Sequence, residues 1–201
     1  MLAHDNDKKS LNKFNHLILE CSSKVALLAN LSDSSLTADS SHGGSVEEQR
    51  WHRPQRSRLH TPQTESGSGA WTSGSTTNAW IQADLMNNYY VSSVATHGRP
   101  LIDQWVTEYK LQYGMNENGL IYVENTTGAT RIFTGNTDRN TVVLNTFDPV
   151  RTRVVRLNVV AFNSHVSMRW EVYGCVAGKL FPTKISNIAY AGLSEPLSFL
   201  N

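Results

Sequence analysis

From Trp80 to Tyr173 the chain keeps returning to one pattern, apolar then polar then apolar. Ile81, Ala83 and Leu85 alternate with Gln82 and Asp84, and Tyr109, Leu111 and Tyr113 alternate with Lys110 and Gln112. Val155, Leu157 and Val159 alternate with Arg156 and Asn158, and Met168, Trp170 and Val172 with Arg169 and Glu171. A period of two sets neighbouring side chains on opposite faces, so each run reads as a half-buried strand. Shorter candidates lie at residues 90–96, 121–123, 131–133 and 141–144. Turn chemistry separates them: Asn87-Asn88, residues 116–119, Thr127-Gly128, residues 136–140 and Asp148-Pro149. No helical period interrupts the series. Many short strands spaced this way predict an all-β chain, an antiparallel sandwich or barrel.

The segment before Trp80 is rich in Ser, Gly, Thr and Arg, which predicts long loops with one or two short strands. Further upstream two readings compete. Leu11, Phe14, Ile18, Cys21, Val25 and Leu28 recur at spacings of three and four, the mark of an amphipathic helix. The other reading, which we favour, confines a short helix to residues 8–20 and lets residues 25–31 run irregularly into a first strand.

Composition narrows the function classes. In 201 residues, 39% are hydrophobic, enough for one real core, and the net charge of +1 gives no global field toward nucleic acid or membrane. No run approaches the 18 or more apolar residues of a membrane span, so no transmembrane segment is expected. There is no Gly-x-Ser-x-Gly elbow, phosphate-cradling loop or His-Glu-x-x-His helix. The seven histidines form no ligand pair at helical spacing, and His52 and His60 stand among arginines, which disfavours a cation. We therefore expect no catalysis, metal or cofactor.

Eight phrases in fixed order sharpen the reading. They are Asp33-Ser34-Ser35-Leu36-Thr37-Ala38, Arg58-Leu59-His60, Gly69-Ala70-Trp71, and the run from Asn78 to Leu85. Then come Val94-Ala95-Thr96-His97-Gly98-Arg99, the run from Trp105 to Tyr113, Phe133-Thr134-Gly135-Asn136-Thr137-Asp138, and the run from Met168 to Cys175. In order and spacing they resemble the discoidin domain, or coagulation factor V/VIII type C domain, over residues 21–175. The resemblance implies a β-sandwich of the jelly-roll type with a loop-rich N-terminal part. It also implies a Cys21–Cys175 disulfide across the domain's ends, a 1–20 extension and a 176–201 tail or linker. A disulfide requires an oxidising compartment. Two sequons, at Asn30 and Asn125, agree with an extracellular glycoprotein. Residues 1–20 do not read as a signal peptide, so we expect a fragment, or a wrongly assigned start, of a longer extracellular protein.

In the resembled family three loops at one end of the sandwich contact the ligand. Here they are residues 41–54 (with Arg50, Trp51, His52 and Arg53), 71–78 (with Ser73, Ser75, Thr77 and Asn78) and 97–104 (with His97, Arg99, Leu101 and Ile102). A Trp among cations could enter a lipid interface while guanidiniums hold phosphates. Small polar residues could bond sugar hydroxyls, and Leu101-Ile102 could be an apolar tip. Trp71 and Trp80 are read as core or rim aromatics. Arg58, Arg156 and Arg169 are read as structural, with Asp84 a candidate partner for Arg169. The expected function is a non-catalytic extracellular binding or adhesion module. Its ligand would be anionic phospholipid or glycan at a cell surface. The alternatives are docking on a receptor or matrix protein such as collagen, or targeting a carbohydrate-active enzyme.

Overall fold

A computed structural model of the chain describes residues 23–176. The helix expected over 8–20, Cys21 and the 176–201 tail beyond its first residue lie outside the described residues. Val25 and Leu28 do not continue a helix: Val25 is in a strand and Leu28 in a turn. The elements are β1 (Val25–Ala26), β2 (Leu36–Ala38), α1 (Val46–Arg50), β3 (Trp71–Thr72), β4 (Trp80–His97), β5 (Trp105–Gly114), β6 (Ile121–Tyr122), β7 (Phe133–Thr134), β8 (Val143–Asn163) and β9 (Ser167–Val176). Single 3-10 turns form at Asp33–Ser35, Pro54–Ser57 and Glu117–Gly119.

The architecture is the expected all-β sandwich, and two long strands build both of its layers. The first part of β4, Trp80 to Asp84, pairs with Asn158 to Val154 of β8; the second, Tyr89 to Thr96, pairs with Thr152 to Val143. Between them both strands fold over and change layer. One layer is β2, the first part of β4, the second part of β8, β5, and then β6 and β7. The other joins the second part of β4 and the first part of β8 to β9, which β1 and β3 flank. Every pairing between these strands is antiparallel.

Side chains secure the fold-over. The pairing slips between Asp84 and Tyr89, where Met86 adopts φ +64°. The Asp84 carboxylate accepts from Nε and Nη2 of Arg153 (2.8 and 2.9 Å) and from the Met86 amide (2.8 Å). The Thr152 hydroxyl accepts from the Gly114 amide (3.0 Å) and donates to the Val154 carbonyl (2.8 Å). These contacts correct the expected Asp84–Arg169 pair. The register sets Asp84 opposite Val154, next to Arg153, and Arg169 opposite His97 at the other end. Arg169 is buried there and donates from Nε to the Gly98 carbonyl (2.8 Å).

The interleaved faces share one core, in which Trp71, Trp170, Tyr109 and Phe133 are the largest fully buried side chains. Tyr109 stacks on Phe133 at 5.3 Å. Trp80 is half-buried under the Arg156 guanidinium at 4.2 Å, a rim aromatic as expected. β9 departs from simple alternation, because Arg169 and Glu171 are buried along with Met168, Trp170 and Val172. A buried carboxylate needs partners. That of Glu171 accepts from the amides of Leu27 (3.1 Å), Leu28 (2.6 Å) and Val172 (2.9 Å), fastening the N-terminal segment to β9. Burial still raises its pKa, against the pull of those amides.

Asp84→Ala should cost about 1–2 kcal/mol in urea unfolding, a bidentate pair being worth more than an ordinary surface one. The Arg153 hydrogen bond holds the Asp84 pKa below its ordinary value. A depressed carboxylate stabilises above its unfolded pKa and loses that contribution as pH falls through the folded one. The gap between wild type and variant should therefore be widest near neutrality and close in acid.

Candidate functional site

Because β4 and β8 fold over at one end, their outer termini meet at the other. Thr72 lies opposite Ser167, His97 opposite Arg169 and Trp105 opposite Asn163. The loops before β3, before β4 and before β5 are thus gathered with the β8–β9 turn around one end of the sandwich.

Their inner side is a polar lattice. Asp39 accepts from the Trp80 amide (3.0 Å) and the Ser73 hydroxyl (3.0 Å), and the Trp71 indole donates to the Ser40 carbonyl (2.9 Å). The Ser167 hydroxyl lies between Thr72 Oγ1 (2.8 Å) and Gln104 Oε1 (3.1 Å), and Arg99 Nη1 donates to the same Gln104 oxygen (2.8 Å). Three imidazoles close the junction. His42 meets His52 and His165 edge to face, each at 5.2 Å. The His42 amide donates to the Thr72 carbonyl, the Thr72 amide to the His52 carbonyl, and a ring nitrogen of His165 lies 3.0 Å from the Ser73 carbonyl. Each of the three histidine residues is therefore tied to the 72–73 strand end. Among the described residues no group of His, Cys, Asp and Glu is arranged to hold a metal ion.

Burial lowers the pKa of His52 to about 4, helped by the charge of Arg99 and by the other two imidazoles. His165 shifts the same way, chiefly by burial. Arg99 is itself half-buried, and burial lowers its pKa too. His52 Nδ1 and Arg99 Nε are buried without a hydrogen-bond partner. The junction thus favours the neutral forms of His52 and His165.

The residues expected to meet ligand divide into two sets. Ser73 is fully buried and spends its hydroxyl on Asp39, while Ser75 Oγ donates to the Thr77 carbonyl (2.8 Å). His52 and Arg99 are half-buried and turned into the lattice, and His97 is half-buried opposite Arg169. These residues shape the end. Thr77 and Asn78 are exposed, Asn78 at φ +54°. Leu101 is 71% exposed and Ile102 40%. Leu101 adopts φ +62°, in a loop closed by bonds from the Arg99 amide to the Gln104 carbonyl (2.9 Å) and from the Gln104 amide to the Ile102 carbonyl (2.8 Å). Arg50, Trp51 and Arg53 instead line a separate groove with Arg56 and Arg58.

Sequence reasoning missed His42 and His165, which come from segments 123 residues apart and meet only in space. It also missed α1, although its signal was present. Ser45 and Glu48 form a capping box, the Glu48 amide bonding Ser45 Oγ (3.2 Å) and the Ser45 amide bonding Glu48 Oε2 (3.1 Å).

A family model described as the F5/8 type C domain matches residues 35–172. The chain belongs to that family. This bears out the resemblance. Retinoschisin of Takifugu rubripes is 35% identical over 127 residues, 61% of this chain and 44% of that protein. Discoidin-1 of Dictyostelium discoideum is 40% identical over 112 residues, 55% of this chain and 43% of that one. Lactadherin of Bos taurus is 30% identical over 161 residues, 77% of this chain and 37% of its own. The match thus spans less than half the length of each. Recombinant discoidin II of D. discoideum superposes on this F5/8 type C domain with a TM-score of 0.65 and 28% identity, over 76% of this chain and 59% of that one. A family 32 CBM from C. perfringens NanJ in complex with galactose shares the fold, with a TM-score of 0.51 at 17% identity, over 75% of this chain and 99% of that one.

A histidine held below its ordinary pKa favours the unfolded state once that state takes up the proton first. The His52 contribution should be full above about pH 6.5, fall as pH drops toward about 4, and level off below, where folded His52 is also charged. In thermal melts His52→Gln should flatten that limb while leaving most of the stability at pH 7.5 in place.

Proposed function

We propose that this domain is an extracellular, non-catalytic module that attaches its parent protein to a cell-surface phospholipid layer through the Leu101–Ile102 tip. The observation that carries the reading is Leu101 itself, an apolar residue at once solvent-facing and held at φ +62°. A left-handed conformation costs a non-glycine residue about 1 kcal/mol or more, and such outliers gather at functional sites. The polar lattice beneath supplies a rigid base for the tip. Arg99, read from sequence as a headgroup ligand, is turned inward to Gln104, and Arg139 beside the loop is bonded to Asp103 at 3.1 Å. Depth of insertion, more than charge, then supplies the binding. Two apolar side chains contribute roughly 1.5–3 kcal/mol each, which sets a single domain in the range from a few millimolar to tens of micromolar. Useful attachment would come from several copies or several domains of the parent.

Vesicle sedimentation tests this. Wild type should bind phosphatidylserine–phosphatidylcholine vesicles, and Leu101→Gly with Ile102→Ser should weaken binding at least tenfold. Leu101→Gly also relieves the positive φ, so the melting temperature should hold or rise. Wild type that ignores vesicles at low salt, or a tip variant that binds them unchanged, overturns the reading.

The Cys21–Cys175 bridge and glycans at Asn30 and Asn125 belong to the same proposal. Asn30 and Asn125 are exposed, and the described residues include no free cysteine. Intact mass should show two hydrogens lost and no titratable thiol. Cys175→Ser should cost up to about 4–5 kcal/mol in the chain-entropy account of a long loop.

A further inference from the structure

The stretch from residue 50 to 58 carries four arginines, at 50, 53, 56 and 58. Arg50 ends α1, Arg53 precedes the Pro54–Ser57 turn, Arg56 lies within it and Arg58 follows it. All four line one groove of about 770 Å³, within the size range of small-ligand sites. No residue of the 97–104 loop lines it.

Their charges are not equally available. Arg58 is consumed: it donates to the carbonyls of Leu28 (3.2 Å), Gln55 (2.9 Å) and Leu31 (2.7 Å), and meets Asp33 at 2.8 Å. Arg50 meets Glu47 at 3.2 Å with both side chains more than half exposed, a pair an anionic ligand could displace at little cost. Arg56 donates from Nη2 only to a neutral carbonyl, that of Ser66 (2.8 Å). Its guanidinium is seated against Gly67, where a Cβ would come within 2.3 Å of it. Arg56 is thus held in place with its charge uncancelled. The Arg53 side chain makes no hydrogen bond or ion pair among the described residues, so its donors are open. Against these stands Glu65, the one lining carboxylate without an ion pair among the described residues. In the same groove Trp51 is 40% exposed.

We infer that this groove is a second binding site, independent of the membrane-facing tip, for an acidic polysaccharide bearing sulfate or uronate groups. An exposed indole offers a flat face to the C–H side of a pyranose. Guanidinium forks beside it match the planar or trigonal oxygens of carboxylate and sulfate. An acidic peptide would use the forks and leave the indole unused. The two uncancelled arginines are three residues apart across a 3-10 turn, so they present charges to successive groups of an extended ligand.

The test is titration calorimetry of the full chain with a heparin-derived hexasaccharide, a hyaluronan hexasaccharide, neutral chitohexaose and poly-glutamate. The two acidic sugars should bind, more weakly as salt rises, and the neutral sugar should not. Arg53→Gln should weaken binding about fivefold and Trp51→Ala about tenfold, with melting temperatures within a couple of degrees of wild type. If Trp51→Ala unfolds the chain, Trp51→Phe, which keeps a ring, should retain most of the affinity. Leu101→Gly should leave sugar binding intact, and Arg53→Gln should leave vesicle binding intact, so either site can fail alone. No binding of either acidic sugar at low salt, equal binding of poly-glutamate, or an affinity indifferent to both Arg53→Gln and Trp51→Ala overturns the inference.

Discussion

The folding-over of two strands governs the whole molecule. β4 and β8 each supply strand to both layers, so their bends must occur together at one end, near Met86 and Thr152. The Asp84–Arg153 fork ties one bend to the other. Once that end is closed, the free ends of four strand segments and the connections between them have only the opposite end to occupy. The assembly of three loops and a turn there follows from hydrogen-bond register and needs no attraction among the loops.

Attraction is nevertheless present, and it is polar. The loop end is held by Asp39, Ser73, Thr72, Ser167, Gln104 and Arg99, with three imidazoles as its closing layer. Buried polar groups of this kind rigidify when satisfied and are costly when not. Here His52 Nδ1 and Arg99 Nε find no protein partner where the loops converge. Rigid support beneath an exposed Leu101 in a strained backbone is the combination a surface-binding tip requires. Glu171 plays a parallel part along the flank of the sandwich. It satisfies two amides of the N-terminal segment and one of β9, and so holds that segment against β9.

The strands were legible because alternation is a local property. Ile81, Ala83 and Leu85 face the core as their spacing predicts, and so do Tyr109 and Leu111. β9 was only half legible. Its period announced Met168, Trp170 and Val172, but a strand in the middle of a layer, covered on its other face by the N-terminal segment and the loops, buries Arg169 and Glu171 too. The partner proposed for Arg169 failed for a related reason. Charge type is written in the sequence, whereas which strand end meets which is set by pairing, and pairing put Asp84 beside Arg153. α1 was readable and overlooked, since Ser45 and Glu48 carry its capping box in four residues.

The sequence by itself determined the fold class, the family and the general place of the loops. Period-two burial, turn residues and ordered phrases are all properties of neighbours along the chain. Only the tertiary structure decided what each loop residue does. It turned Arg99 and Ser73 inward, left Leu101 outward, and set Trp51 in a groove with Arg53 and Arg56. It also brought His42, His52 and His165 together from two distant segments. Exposure, ring contact and the direction of a guanidinium depend on what packs against a residue from elsewhere in the chain. That is fixed by strand register, which no local pattern contains.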